Sequence, residues 1–183
     1  MPDRICTVKR DRGVKRIKAI LSEDRFNFIS EENKAFITAF DEEINKLGYG
    51  CGGHIGEGYC WGRYMIIYSK NGVKSKQVAA RVYIRESSIV LRLFLNNIDK
   101  HHNYIENSKS FVKEVFEGEY GNCRRCHNDK GGICKFRKTY TLENRLIEKC
   151  NGYTFEFNGP DLVKLPDYVG LLKEFYTPIR SLK

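Results

Sequence analysis

Proline is scarce and long apolar runs are missing. The chain has four prolines, and no window of about eighteen consecutive apolar residues, so no segment qualifies as a spanning helix by length and hydropathy. Internal repeats and low-complexity tracts are absent as well, which excludes the solenoids and propellers that announce themselves by a fixed period. There is no acidic excess: 32 Lys and Arg stand against 23 Asp and Glu, a formal charge of +9. That balance permits a polyanionic partner without identifying one. The opening Met1-Pro2-Asp3-Arg4 runs into charge where an export signal would be apolar, so the sequence reads as a soluble cytoplasmic protein with no membrane partner.

What is present is an ordinary globular balance, 41% hydrophobic and 30% charged residues over 183 positions, enough for one domain with a core and a small metal-stabilised appendage. The reading divides the chain at 118: an α+β part over 1–118 with a basic N-terminal segment, and a zinc-binding hairpin with a final helix over 119–183, packed as part of the same domain. Residues 4–18 carry seven Lys and Arg. They offer either phosphate contacts or the solvated side of a helix whose apolar side is Val14, Ile17, Ile20 and Leu21.

Ser30 before Glu31 and Glu32 predicts a helix start, and Phe36, Ile37, Phe40, Ile44 and Leu47 recur at helical spacing up to Gly48. Aromatic and β-branched residues from Tyr59 to Ser69, the Asn71-Gly72 turn, a run from Lys76 to Arg85 and alternation at Ile89, Leu91, Leu93 and Leu95 predict a three-stranded antiparallel meander. One or two helices follow over 97–117, with Ser108 as a cap. Tyr153 to Phe157 alternates as a further strand, and a helix runs from Pro166 to Tyr176. The fold class is therefore α+β: an antiparallel sheet covered on one side by helices, with a zinc-clamped β-hairpin.

Seven cysteines in a reducing compartment point to metal ligands, reactive thiols or core residues before disulfides. Cys123 and Cys126 have the two-residue spacing that turns both sulfurs toward one ion. Cys134 and Cys150 flank two strand-like runs, and a hairpin with its tip near Leu142 would set them opposite each other. Four thiolates fill the tetrahedral shell of a structural Zn²⁺, lowering the formal charge by two, to about +7. His127 in place of one cysteine and iron in place of zinc are open alternatives. The cations of 124–138 provide either a nucleic-acid patch or simple neutralisation of the thiolate centre.

Seven of the sixteen glycines fall within 48–62. They follow a helix and precede a strand, the reverse of the order that aims a helix N-terminus at phosphate, so this is no dinucleotide or Walker loop. His54, Glu57, Tyr59 and Trp61 are its candidate ligand-binding residues, and Cys51 or Cys60 with His54 and Glu57 would form a nucleophilic set. The bland reading is a bulged connection with Trp61 and Tyr64 anchoring the sheet.

The runs 58–68, 72–76 and 149–157 resemble an uncharacterised family of small bacterial cysteine-rich proteins over nearly the whole chain. That resemblance implies a shared cysteine site, zinc and fold, but no reaction. More distantly, the helix, aromatic strand and meander are similar to YdhG-like α+β domains. The leading functional expectation is a zinc-stabilised binding or adaptor module for a small molecule or protein, with loop 48–62 as its contact surface. The rivals are nucleic-acid binding through 4–18 and 124–138, and an enzyme built on the Cys/His/Glu set. The balance leans away from an enzyme, and no catalytic residue is assigned.

Overall fold

Ser30 does what its position predicts: its hydroxyl accepts from the Asn33 amide at 3.3 Å and opens helix α2, Glu31–Lys46. The apolar stripe of that helix, Phe36, Ile37, Phe40 and Ile44, is fully buried. The computed structural model describes residues 17–73, 77–118, 137–149 and 154–176. Cys123, Cys126, Cys134, Cys150, His127 and the basic arm before Ile17 lie outside them. Helix α1 is Ile17–Leu21, and it buries Ile17, Ile20 and Leu21 against α2.

The main sheet is antiparallel throughout. Its strands are β1 (Tyr49–Gly50), β2 (Gly56–Glu57), β3 (Tyr64–Lys70), β4 (Val78–Ile84), β5 (Ile89–Phe94) and β8 (Thr154–Asn158). They run in the order β1-β3-β4-β5-β8, with β2 also laid along β3. Strands β3, β4 and β5 form the meander, and β8 extends it with Leu91 opposite Phe157 and Leu93 opposite Phe155. Residues from either side of position 118 thus share one sheet. One face, with Ile66, Tyr68, Ala80, Val82, Leu91, Leu93, Phe155 and Phe157, is buried in the core. Helices α2, α4 (Ser110–Glu117) and α5 (Leu165–Tyr176) pack on that face. Phe40 meets Tyr68 edge-on at 5.4 Å, Phe116 stacks on Phe155 at 4.1 Å and Tyr168 tilts against Phe157 at 4.9 Å. Among the described residues no helix is long and apolar enough to cross a membrane.

Two sequence expectations shift. Residues 59–61 are a short 3-10 turn, and the strand starts only at Tyr64. Ser108 caps nothing ahead of it; its hydroxyl donates back to the Tyr104 carbonyl at 2.7 Å, closing α3 (His102–Glu106), while α4 begins after Lys109 without a side-chain cap.

A second, two-stranded sheet pairs β6 (Lys138–Leu142) with β7 (Arg145–Lys149). Its tip is not Leu142, which pairs with Arg145. Glu143 and Asn144 form the two-residue turn, at φ 48° and 61°, because a turn with both central residues left-handed matches the twist of the flanking strands. The midpoint therefore falls beyond Leu142, and equal spacing of Cys134 and Cys150 about that residue is not the symmetry of this ladder. The hairpin is tied to α4 by Tyr140, whose hydroxyl donates to the Phe116 carbonyl and whose ring lies 6.3 Å from that of Phe155 on the main sheet. Fully buried Lys149 helps, donating to the Val115 carbonyl at 2.6 Å with its Nζ 4.3 Å from the Phe155 ring centre. Burial brings that ammonium down to about 7.

Candidate functional site

The glycine-rich segment is laid down as sheet edge at both ends. Tyr49 and Gly50 pair with Lys70 and Ser69, and Gly56 and Glu57 pair with Met65 and Tyr64, so β1 and β2 are two short contacts on one edge of β3. Between them the chain arches through Gly52 and Gly53, both left-handed at φ 63° and 67°, and pins Ile55 into the core. After Glu57 it turns sharply. The Trp61 amide donates to the Gly58 carbonyl at 3.1 Å and the Gly58 amide to the Arg63 carbonyl at 3.2 Å. Arg63 N donates to Ile84 O at 2.8 Å, and Arg85 Nε holds the Trp61 carbonyl at 3.2 Å.

Two constellations flank this turn. The first is beneath the arch, where the Cys51 thiol donates to Asp41 on α2 at 3.6 Å, beside the buried Tyr68 hydroxyl, which makes no hydrogen bond of normal geometry. Burial, and then the Asp41 charge, push the Cys51 thiol up; backbone amides of Gly53 and His54 only partly offset this. Asp41 is itself raised, chiefly by burial. The thiol's side-chain partner is a carboxylate and not the His54 imidazole, so its surroundings disfavour a thiolate nucleophile. Cys60, by contrast, is exposed on the turn.

Asp41→Asn is expected to change both properties. Because the folded carboxyl titrates above its unfolded value of 3.8, wild type binds the extra proton when folded. Stability from that group is present below 3.8 and is lost as pH rises through the raised value. The variant lacks this loss, so it gains on wild type as pH rises through that window and holds the gain above it. Cys51 should also alkylate faster at neutral pH once the neighbouring charge is gone. Equal urea midpoints across pH 3 to 8, with unchanged labelling of Cys51 by mass spectrometry, would refute the coupling.

The second constellation covers the sheet face opposite the main core. Trp61, 41% exposed, stacks over Tyr83 with ring centres 5.9 Å apart. The Arg92 guanidinium lies 4.2 Å from the Trp61 ring and 5.0 Å from that of Tyr83, and it is paired with Glu156. Arg81 stands directly across from Arg92 in the ladder, with its guanidinium 5.1 Å from Phe94 and 3.5 Å from the Tyr83 hydroxyl. Tyr83 and Val90 are buried on this face apart from the main core. At the adjoining end, but on the core-facing side, Arg63 lies 4.6 Å from the Phe28 ring, while Arg63 and Arg25 each stand 5.8 Å from that of Tyr64. Tyr59 is 78% exposed and held at φ 53°, a conformation that costs a residue of this kind about 1–3 kcal/mol.

Of the four residues expected to bind a ligand, Tyr59 and Trp61 share the exposed turn. Glu57 is exposed on β2, and His54 is exposed on the arch with its ring edge over Gly56. Arg81, Tyr83, Arg92 and Phe94 were not anticipated. The signal for them was available: once Ile89, Leu91 and Leu93 face the core, the alternate positions on β4 and β5 must face away, and they include Arg81, Tyr83, Arg92 and Phe94 beside Val90. Among the described residues no cluster of three or more His, Cys, Asp or Glu forms a metal site; the four expected zinc ligands lie outside them.

Fold and site together define an α+β sheet protein with helices on one face and a cation–aromatic layer on the other. No family model, no curated protein and no solved structure matches the chain.

Proposed function

We propose that the protein is a zinc-stabilised binding module whose contact surface is the Tyr59–Trp61 turn and the sheet face beneath it. The observation that carries this reading is the presentation of two exposed aromatics on a turn braced from below by Arg85, Arg92 and Tyr83. A residue as large and apolar as Tyr59 gains nothing for the fold in an exposed left-handed position, so contact with a partner is the use that offsets its cost. Zinc on Cys123, Cys126, Cys134 and Cys150 is supported by the ligand spacing and by the hairpin itself. Its open end at Lys138 and Lys149 leads in sequence toward Cys134 on one side and directly to Cys150 on the other.

Elemental analysis of untagged protein is expected to give one zinc per chain, lost together with thermal stability in Cys126→Ser and Cys150→Ser. Metal-free wild type of full stability would refute the zinc centre. The contact surface has its own test, since Trp61 is the single tryptophan. Acrylamide should quench its fluorescence readily in the free protein, and a protected indole would refute the surface.

A further inference from the structure

We infer that the contact surface proposed above binds single-stranded nucleic acid, a phosphate seated on Arg81 and a base stacked on the outer face of Trp61. The inference rests on that surface being the contact surface. Arg81 and Arg92 oppose each other across β4 and β5, a like-charge arrangement that weakens a sheet unless an anion relieves it. The face supplies one acidic residue opposite them, Glu156, and it is engaged with Arg92. Among the described residues no carboxylate pairs with Arg81, and its buried Nε has no hydrogen-bond acceptor. A guanidinium with donors to spare, half-buried beside aromatic rings, is suited to a phosphate oxygen.

Trp61 covers Arg92 and Tyr83 with one face of its indole, leaving the other for a base. Both Trp61 and Arg81 approach Tyr83, one at its ring and the other at its hydroxyl, so a single side chain separates the proposed base and phosphate contacts. A second exposed ring on the turn favours a strand over a single nucleotide: Tyr59 stands two residues from Trp61. At the end of the sheet, on the core-facing side, Arg63 and Arg25 lie against Tyr64 and Phe28. Glu86 and Glu23 are engaged with Arg63 and Arg25, and Arg85 has no described carboxylate partner. Glu57, exposed on β2 two residues before Tyr59, is the acidic side chain next to the turn in sequence. These positions differ from the basic segments 4–18 and 124–138, and the inference does not depend on them.

The test titrates the zinc-analysed full chain with twelve-nucleotide oligo(dT) and oligo(U), with mononucleotides and with inorganic phosphate, reading Trp61 fluorescence and oligonucleotide anisotropy from low to moderate salt. The oligonucleotides are expected to quench Trp61 and to bind at least tenfold tighter than any mononucleotide, with affinity falling as salt rises. Arg81→Gln should weaken binding about tenfold and flatten the log–log salt slope by about 0.7, while its own melting temperature stays level or rises. Glu57→Gln should tighten binding a few-fold, an arm that misfolding cannot imitate. No quenching by either oligonucleotide at low salt, mononucleotides binding as tightly as strands, or an unchanged salt slope in Arg81→Gln would each overturn the inference. A negative titration with acrylamide-accessible Trp61 and one bound zinc sinks nucleic acid alone. A protected Trp61 or metal-free protein sinks the module reading instead.

Discussion

Phe155→Ala is expected to cost about 3–5 kcal/mol of unfolding free energy, the usual range for emptying a fully buried phenylalanine site. The ring is wholly buried on β8, opposite Leu93 in the ladder. It stacks on Phe116 of α4 at 4.1 Å, lies 6.3 Å from Tyr140 of the hairpin, and carries the Lys149 Nζ 4.3 Å above it. No neighbour closes the gap easily, because Phe116 is held by the Tyr140 hydroxyl on its carbonyl and Lys149 by the Val115 carbonyl. A urea titration of the variant beside wild type measures the loss. A cost under about 1 kcal/mol would mean that the ring is not the joint between the two sheets.

The same substitution should also change where the molecule opens. Local unfolding follows the stability of each cooperative unit, and this ring with its neighbours is the apolar part of the hairpin's docking, beside the amides of Thr141 and Glu143 bound to Asp99 and Glu106. Hydrogen exchange at Tyr140 and Ile147 should therefore accelerate more than at Val82 or Leu91, which sit in the middle of the meander. If the hairpin does carry zinc at its open end, metal retention in Phe155→Ala separates the two sources of its order. A metal-clamped hairpin keeps its ion when its docking loosens, and a hairpin ordered only by docking has nothing to keep.

Periodicity accounts for what was legible in advance. Phe36, Phe40 and Ile44 repeat at helical spacing, and Ile89, Leu91 and Leu93 alternate, since burial of one face imposes those periods on any chain. The hairpin over 138–149 was equally readable as two strand-like runs, but its register was not. Glu143 in a left-handed turn position has no compositional signature, and the misplaced tip moved the expected pairing. Pieces as short as Tyr49–Gly50 and Gly56–Glu57 fall below any periodicity; only the edge of β3 makes them strands. Asp41 was hidden for a different reason. On a helix surface an aspartate beside glutamates reads as solvated, and its partner Cys51 comes to it only when the arch folds back. The candidate site was half visible: Trp61 and Tyr59 stood out as aromatics in a glycine-rich turn, whereas Arg81 and Arg92 became a pair only through strand pairing.

Gly58→Ala is expected to cost about 2–3 kcal/mol and to displace Trp61, because the new methyl has nowhere to go. A Cβ at position 58 would lie 2.2 Å from the Gly62 carbonyl oxygen, 2.6 Å from its carbon and 2.9 Å from the Tyr64 carbonyl oxygen. These are backbone atoms that cannot rotate aside, so the turn must open, and overpacking of this kind typically costs about 1–3 kcal/mol. Gly52→Ala is the contrast: it has open space around it but a left-handed backbone at φ 63°, and should cost only about 1 kcal/mol. The two differ in what they do to the site. Opening at Gly58 breaks the Trp61 amide to Gly58 carbonyl bond and lifts the indole from Tyr83 and Arg92, which red-shifts Trp61 emission and increases its quenching by acrylamide. Gly52→Ala strains the arch while leaving that emission unchanged. Equal emission spectra for Gly58→Ala and wild type, with equal stability, would show that the close approach of Gly58 to Gly62 does not set the position of Trp61. The contact surface would then have to be sought elsewhere on the molecule. With the expected outcome, glycine at 58 is there for a steric reason: the turn that presents Tyr59 and Trp61 closes only where the chain can cross itself without a side chain between.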